Sequence, residues 1–414
     1  MSLVLIGSLL LIAAVTVFNA AIDPYGMFGR PRVAGINLHK PYAGDRGRIV
    51  KVHQVLRVRP RSLIVGNSRP EMGIDPEHHC WPADSQPVFN LSVPGLHVYH
   101  QVRLAQHAIA DSRVETVLMA IDFLDFVDSR AREDPGLWPP PGQAPGRLRV
   151  DANNQPRSDF QLERAIDYFD ASTSLSALID SLSTIGKQRK QWVETRTPHG
   201  FNPAERIYLP ILMTEGIGAL FAQKNRELAG YFSGRQSLYK EGTDWSLEFE
   251  ALDRFSRQVT NQGIKLIFFV DAHHAHYLSM LDEAGLWPMF ETWKKQVVAI
   301  AGKYGVPLWD FSTFDEHAVE LPNDIARVGE ALEWFWEPSH YRAAFGSLML
   351  AQMLACNTAE GRDVGVLLDA KNVTHTLQQI RLRRDAFAAS NPEIAEQFRA
   401  LLEDEKSPVA PSSQ

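Results

Sequence analysis

The sequence predicts an α/β fold with a parallel central sheet and helices on both of its faces. Short apolar runs of strand length alternate with longer segments of helical periodicity, which is the pattern of such sheets. Hydrophobic residues make up 45% of the 414 residues, which is enough for a sizeable core. The net charge of −7, with scattered Lys and Arg, argues against a nucleic-acid-binding protein, which would present a basic face.

The N-terminal segment predicts a membrane helix. Ser2 to Ala21 contains no charged side chain, and about 20 apolar residues are enough to cross a bilayer. We interpret residues 1–22 as an uncleaved signal anchor, with a cleaved signal peptide as the alternative. We expect a single pass through the inner (cytoplasmic) membrane and a periplasmic domain. The positive-inside rule favours the opposite orientation, because basic residues follow the segment, namely Arg30, Arg32, Lys40, Arg46 and Arg48.

Five apolar runs predict the strands of the sheet, and helical periodicity predicts the segments between them. The strand runs are 61–66, 87–95, 115–123, 265–270 and 306–312. The helical segments of this scaffold are 97–110, 245–262, 289–304 and a last one that starts near Tyr341.

The remaining segments flank or interrupt this scaffold. We expect a linker at 23–55, an α/β domain at 56–402 and a disordered tail at 403–414, where charge and then Pro and Ser dominate. Within the domain, an insertion at about 127–244 has a Pro-rich start and then apolar residues at helical spacing. The insertion therefore predicts a helical lid.

Ser68 is the first candidate for chemistry. Ligands of open parallel sheets bind beyond the carboxyl ends of the strands, and Ser68 follows the first predicted strand. Gly66 allows a sharp turn, so that Ser68 begins a helix whose backbone N–H groups can stabilise an oxyanion. A nucleophilic serine needs a base within hydrogen-bond reach. Taken alone, the motif favours a helix N-cap role for Ser68 over a nucleophile.

A second motif, Glu337-Pro-Ser-His340, supplies such a base. A short turn can bring the Glu337 carboxylate to Nδ1 of His340, which leaves Nε2 facing a serine, as in a serine triad. The alternative is a helix start with Ser339 as the cap and an exposed His340. Three aromatic residues precede this motif, namely Trp334, Phe335 and Trp336. They favour a place in the hydrophobic core, and stacking on sugar rings is the alternative.

The combination of these blocks resembles the SGNH (GDSL-like) hydrolase superfamily. In that family a serine follows the first strand, a glycine turn follows the second, and an acid-x-x-His motif precedes the last helix. The resemblance implies Ser68 as nucleophile, His340 as base and Glu337 as its acid, with Gly95 of the segment 90–95 in the oxyanion hole. It also implies a flavodoxin-like three-layer sandwich. It covers about 60–125 and 245–355 but not the insertion.

Three positions depart from the family pattern. Gly-Asn-Ser replaces Gly-Asp-Ser, Glu337 replaces an aspartate, and the block that supplies an oxyanion-binding Asn is missing. Asp122 and Asp125 stand at the corresponding strand end, where a carboxylate would repel an oxyanion. In this respect the chain is more similar to divergent SGNH proteins of polysaccharide O-acetylation, such as those of the alginate system. The further residues that we expect to bind substrate or the oxyanion are Asn90, Asn67, Arg69, Asp122, His273 and His276.

Two other groups of residues leave alternatives open. The segment 271–277 is rich in histidine and follows a strand, so it fits substrate contact, metal ligation or an ordinary loop; we expect no metal and no cofactor. Cys80 and Cys356 either pair, as they would outside the cytoplasm, or remain two buried thiols.

The sequence thus predicts an acyl-ester hydrolase or O-acyltransferase, with Ser68 attacking an acyl carbonyl. The expected partners are an acylated glycan or other ester, the membrane, and a membrane-bound acyl-donor protein, with no nucleic acid. One alternative is a non-catalytic SGNH scaffold in an envelope polysaccharide system. Another is a metal-dependent hydrolase that uses His273 and His276.

Overall fold

The chain folds around a six-stranded sheet. The computed structural model describes residues 2–129, 147–234, 236–322, 327–356 and 363–406. The strands are β1 (Ser62–Val65), β2 (Val88–Asn90), β3 (Thr116–Ile121), β4 (Asp128–Ser129), β5 (Gln236–Ser237), β6 (Lys265–Val270), β7 (Leu308–Asp310), β8 (Phe335–Glu337), β9 (His340–Tyr341) and β10 (Val366–Leu368). The main sheet has the order β10-β7-β6-β3-β1-β2, and all its pairs are parallel except β10 with β7.

The described residues contain fourteen helices. They are α1 (Ser2–Ile22), α2 (Gly47–Val58), α3 (Ser68–Gly73), α4 (Val98–Ile109), α5 (Phe160–Thr173), α6 (Leu175–Lys187), α7 (Glu205–Thr214), α8 (Ile217–Ser233), α9 (Leu247–Asn261), α10 (Ala275–Glu283), α11 (Trp287–Tyr304), α12 (Ala343–Met353), α13 (Val373–Ser390) and α14 (Pro392–Lys406). Short 3-10 turns lie at Ala83–Ser85 and Phe123–Asp125.

Both faces of the sheet are buried, because successive side chains of a strand point to opposite faces. In β3, Val117 and Met119 belong to one hydrophobic cluster, whereas Leu118 and Ala120 belong to a second. β6 divides in the same way. The central strands are therefore apolar at nearly every position, which is why they appear in the sequence as continuous runs.

The predicted α/β architecture with a mostly parallel sheet is confirmed. Each of the five predicted runs contains a strand of the main sheet, and β6 coincides with its run. The sequence did not predict β10, the antiparallel edge strand. Val366 and Leu367 of this strand are 36% and 48% exposed, so the strand lacks the apolar length that marks the buried ones.

α1 is the helix, among the described residues, that is long and apolar enough to span a membrane, over Leu3–Ile22. The segment after it, which we interpret as a linker, contains packed residues. Tyr25 and Met27 are buried, and Lys40 Nζ donates hydrogen bonds to the carbonyls of Ile22 (2.8 Å) and Asp23 (2.6 Å). A cation at this end of a helix stabilises the orphan carbonyls and the helix dipole.

The other interpreted segments are placed as follows. The insertion contains β4, α5 to α8 and β5, with β4 and β5 paired antiparallel. Most of its Pro-rich start lies outside the described residues. The predicted tail begins within α14, which continues to Lys406, and 407–414 lie outside the described residues.

α3 approaches β9 and α12 at backbone distance. A Cβ added to Gly73 would lie 1.9 Å from the ring of Tyr341, and one added to Gly346 would lie 1.8 Å from the carbonyl oxygen of Gly73. Both positions therefore require glycine. A disulfide between Cys80, which follows α3, and Cys356, which follows α12, joins the same two parts of the chain. Of the two alternatives for these cysteines, the structure thus has the disulfide.

Gly346→Ala is predicted to lower the free energy of unfolding by about 1–3 kcal/mol, because the added methyl group overpacks a contact with a backbone carbonyl. Gly302→Ala is the matched control, since Gly302 lies on α11 with no atom within 4 Å of an added Cβ. The control should be neutral or stabilising by up to about 1 kcal/mol. Denaturant unfolding measures both; equal stabilities would contradict the close contact.

Candidate active site

Ser68, His340 and Glu337 meet at the carboxyl end of β1. Ser68 Oγ lies 2.8 Å from His340 Nε2, although 272 residues separate them in sequence. On the other side of the imidazole, Nδ1 is in direct hydrogen-bond contact with Oε1 of Glu337. The three side chains thus have the connectivity of a serine triad, in which a carboxylate orients the histidine and the histidine contacts the hydroxyl.

Ser68 is the first residue of α3, and its side chain is not the helix cap. Asn67 has that role, because its Oδ1 accepts a hydrogen bond from the backbone N–H of Arg69 at 2.9 Å. The Ser68 hydroxyl is therefore directed to the imidazole. As the first residue of α3, Ser68 lies at the positive end of the helix, where backbone N–H groups lack intrahelical acceptors.

The tight hairpin of β8 and β9 holds Glu337 and His340. The backbone N–H of Ser339 donates to Glu337 Oε2 at 2.7 Å, which fixes the carboxylate while its other oxygen contacts the imidazole. α12 begins later, after Arg342, so neither Ser339 nor His340 starts that helix. Burial alone would raise the pKa of Glu337, but the charge of His340 and these hydrogen bonds outweigh burial and lower it to about 2.

Two residues of the insertion complete the surroundings of the triad. The hydroxyl of Tyr208, on α7, lies 3.2 Å from Glu337 Oε1 and 3.3 Å from His340 Nδ1. Lys224 Nζ, on α8, lies 3.9 Å from the same carboxylate oxygen. Burial and the neighbouring Glu337 raise the pKa of Tyr208 well above its ordinary value, so its hydroxyl is a neutral donor. No motif in the sequence marks these residues as part of the site.

A buried ion pair lies directly behind the serine. Arg69 Nη1 contacts Asp122 Oδ2 at 2.8 Å, and Arg69 Nε donates to the carbonyl of Ser339 at 2.8 Å. The arginine thereby ties α3 to the β8–β9 hairpin. Burial would raise the pKa of Asp122, but the Arg69 charge and His273 lower it below its ordinary value. The negative charge expected at this strand end is therefore neutralised.

Three further buried titratable groups lie beside this ion pair, and burial shifts the pKa of each toward its uncharged form. His273 Nε2 lies 3.0 Å from Asp122, and burial lowers its pKa to about 4. Burial and the charge of Asp122 raise the pKa of Asp125 well above its ordinary value. The same two causes raise the pKa of Asp271 to about 8. Beside these three groups, Arg69 and Asp122 form an ion pair of opposite charges.

The remaining predicted oxyanion and substrate residues have mainly structural contacts. Asn67 Nδ2 donates to Asp125 Oδ2 at 2.9 Å. Asn90 Nδ2 donates to the carbonyls of Pro70 and Ile74, which fixes α3 on β2. Gly95 lies between β2 and α4 with a φ of +67°. Its assignment as an oxyanion donor stays a prediction.

The histidine-rich segment after β6 is buried, and its members have separate protein partners. His273 contacts Asp122 and Ser312, His274 contacts the carbonyl of Glu320, and His276 contacts Asn225. The group of possible metal ligands found among the described residues lies elsewhere, at 78–80. Its sulfur atom belongs to Cys80, which is in the disulfide.

Comparison with protein-family models, with curated proteins and with solved structures gave no match. The chemistry of this site is therefore argued from its own geometry.

Asp271→Asn is predicted to remove a pH-dependent loss of stability. In the native state Tyr341 donates to Oδ1 at 2.9 Å, Oδ2 has no hydrogen-bond partner among the described residues, and the pKa is about 8. The unfolded carboxyl ionises near pH 4, so wild-type stability contributed by this group falls from about pH 4 to about pH 8 and is then constant.

Denaturant unfolding across this range tests the prediction. The stability of Asp271→Asn relative to wild type should increase with pH up to about 8. A difference that does not change with pH would show that Asp271 is ionised in the folded protein.

Proposed function

We propose that this chain is a membrane-anchored serine acyl-ester hydrolase or O-acyltransferase of the SGNH type. The observation that carries the proposal is the contact of Ser68 Oγ with His340 Nε2 at 2.8 Å, with Glu337 on the opposite nitrogen. A hydroxyl with only a structural role has no need of an imidazole that a buried carboxylate orients. This arrangement activates a serine for attack on an acyl carbonyl.

The topology of the sheet supports the proposed fold family. The five parallel strands have the order β2-β1-β3-β6-β7, which is the 2-1-3-4-5 order of flavodoxin-like sheets. In such sheets a ligand binds at the carboxyl ends of the strands, next to the point where the order reverses. β1 is adjacent to that point, and Ser68 follows it directly.

The proposed reaction proceeds in two steps. Ser68 Oγ attacks the acyl carbonyl while its proton moves to His340 Nε2, and the protonated imidazole then donates that proton to the leaving alkoxide. The result is an acyl ester on Ser68. In the second step His340 removes a proton from water or from a sugar hydroxyl, which attacks the ester and restores the serine. Water as acceptor gives an esterase, and a sugar gives a transferase.

The electrostatics behind the serine are compatible with an oxyanion. Arg69 forms an ion pair with Asp122, and burial together with the charge of Asp122 raises the pKa of Asp125 well above its ordinary value. The N–H groups of Ser68 and Gly95 are the proposed oxyanion donors. Loss of one such donor costs about 10²–10³ in rate in a serine protease. With the family's Asn donor missing, we expect turnover to be slow relative to the family.

The proposed location is the periplasmic side of the inner membrane. α1 provides the anchor, and the Cys80–Cys356 disulfide favours an oxidising compartment. The proposed substrate is an O-acylated exported polysaccharide or another envelope ester, with a membrane-bound protein as the acyl donor of a transferase. A non-catalytic scaffold is the second candidate, because the strand end that should supply the Asn donor is occupied by the Arg69–Asp122 ion pair.

Ser68→Ala is predicted to abolish labelling of the protein by a fluorophosphonate probe, which reacts with activated serines. It should also lower hydrolysis of an activated acetyl ester by about 10⁴-fold or more, as removal of a triad serine does. Ser347→Ala is the matched control, since this hydroxyl only donates to the carbonyl of Ala343 within α12.

The outcomes separate the two candidate functions. Labelling of wild type and of the control, but not of Ser68→Ala, supports the enzyme. Equal labelling of Ser68→Ala would reject Ser68 as the nucleophile. Folded wild-type protein that takes up no probe would favour the scaffold.

Tyr208→Phe is predicted to lower kcat about tenfold with little change in KM, because a hydrogen bond to a charged group is worth about 1.5–3 kcal/mol. The ring still stacks on Trp336, but the folded protein loses the same hydrogen bond to the buried Glu337 carboxylate, so the melting temperature should fall by a few degrees. Tyr231→Phe on α8 is the control, as this side chain is largely exposed. Steady-state kinetics and thermal unfolding measure the effects. An unchanged kcat would mean that the Tyr208 hydroxyl does not position Glu337 and His340.

A further inference from the structure

Helix α6 exposes three of its large apolar residues and buries three small or polar ones. Leu175, Ile179 and Leu182 recur at helical spacing and point outward, whereas Ser181 and Thr184 are fully buried. A surface helix of a water-soluble protein has the reverse arrangement, with the apolar stripe facing the core. The outer side of α6 is thus suited to an apolar environment.

Helix α5 repeats this feature. Leu162, Ile166 and Phe169 recur at the same spacing, while Asp167 is buried. Together with the three residues of α6 they form a surface that we call the α5–α6 apolar face, whose six side chains are between 49% and 71% exposed. Isolated apolar residues on a protein surface are common, but two neighbouring helices that each expose three large apolar side chains indicate an interaction site.

α1 is in contact with both of these helices. Asn19 Nδ2 donates to the carbonyl of Ser172 at 2.9 Å, and α1 becomes partly buried from Val15 onward. The candidate span Leu3–Ile22 needs all of its 20 residues to match a hydrocarbon core of about 30 Å. The exposed part, Leu3–Ala14, covers only about 18 Å at the α-helical rise. The part of the span that contacts α5 and α6 therefore lies at membrane depth.

The residues that follow α6 are typical of the membrane–water interface. Arg189 and Lys190 are exposed, and Trp192, two residues after Lys190, is 38% exposed. Basic side chains reach lipid headgroups, and tryptophan is enriched at headgroup level. The apolar face is thus bordered by the residue types that a lipid surface attracts.

We propose that the α5–α6 apolar face is immersed in the outer part of the bilayer that α1 crosses. The face then forms a second, monotopic membrane contact that fixes the orientation of the domain relative to the lipid surface. This inference rests on the membrane placement of α1 in the proposed function, but it is independent of the triad chemistry.

Depth-dependent quenching of single fluorescent labels tests the proposal. Both native cysteines are in the disulfide, so one introduced cysteine is the only free thiol. The variants Phe169→Cys and Ile179→Cys report on the face, Leu9→Cys reports on α1, and Leu382→Cys is the matched control on α13, where an apolar side chain is 56% exposed. The full chain is labelled with an environment-sensitive dye in vesicles of phosphatidylcholine and phosphatidylglycerol, with and without spin-labelled lipid.

We expect a blue shift and a loss of emission with spin-labelled lipid for the labels at 9, 169 and 179, and neither effect at 382. A quenched label at 9 with unquenched labels at 169 and 179 would overturn the proposal and leave the anchor intact. A blue shift without quenching on the face would mean that a protein, such as a second copy of the chain, covers it, which also overturns the proposal. An unquenched label at 9 would reject the membrane placement of α1, and the proposal with it.

Discussion

The close contact of α3 with β9 and α12 is the constraint on which the candidate site depends. Gly346 admits the carbonyl of Gly73, so α12 and α3 meet backbone to backbone, and Gly73 admits the ring of Tyr341 from β9. Arg69 adds a hydrogen bond from α3 to the carbonyl of Ser339. The Ser68–His340 contact is possible only because these interactions set the distance between the two segments.

The charged layer behind the serine illustrates how a parallel sheet accommodates polar residues at its carboxyl edge. Burying an isolated charge is costly, whereas a paired charge with further hydrogen bonds is tolerated. Arg69 and Asp122 form such a pair, and burial shifts the pKa values of the neighbouring Asp125, Asp271 and His273 toward their uncharged forms. The acidic residues at this strand end are thus accommodated beneath the serine by an ion pair and by pKa shifts that disfavour further negative charge.

The insertion contributes to the molecule in two ways. Its helices α7 and α8 bring Tyr208 and Lys224 to the carboxylate of Glu337. Its helices α5 and α6 contact α1 and expose an apolar face. Segment 197–203 joins these halves and packs on the site, since the carbonyl of His199 accepts a hydrogen bond from Asn90 on β2. One inserted segment therefore links the surroundings of the triad to the part of the chain next to the proposed membrane.

The sequence by itself determined the α/β class, five strands of the sheet, the apolar N-terminal helix, and the candidate residues Ser68, Glu337 and His340. Those features have local signals: continuous apolar runs, glycine turns and an acid three residues before a histidine. Only the tertiary structure decided that Asn67 caps α3, that Tyr208 reaches Glu337, and that Arg69 neutralises Asp122. The last two of these contacts join residues that are far apart in the chain and at no regular spacing. They arise from packing and from the need to pair buried charges, and neither of these can be read from a local sequence pattern.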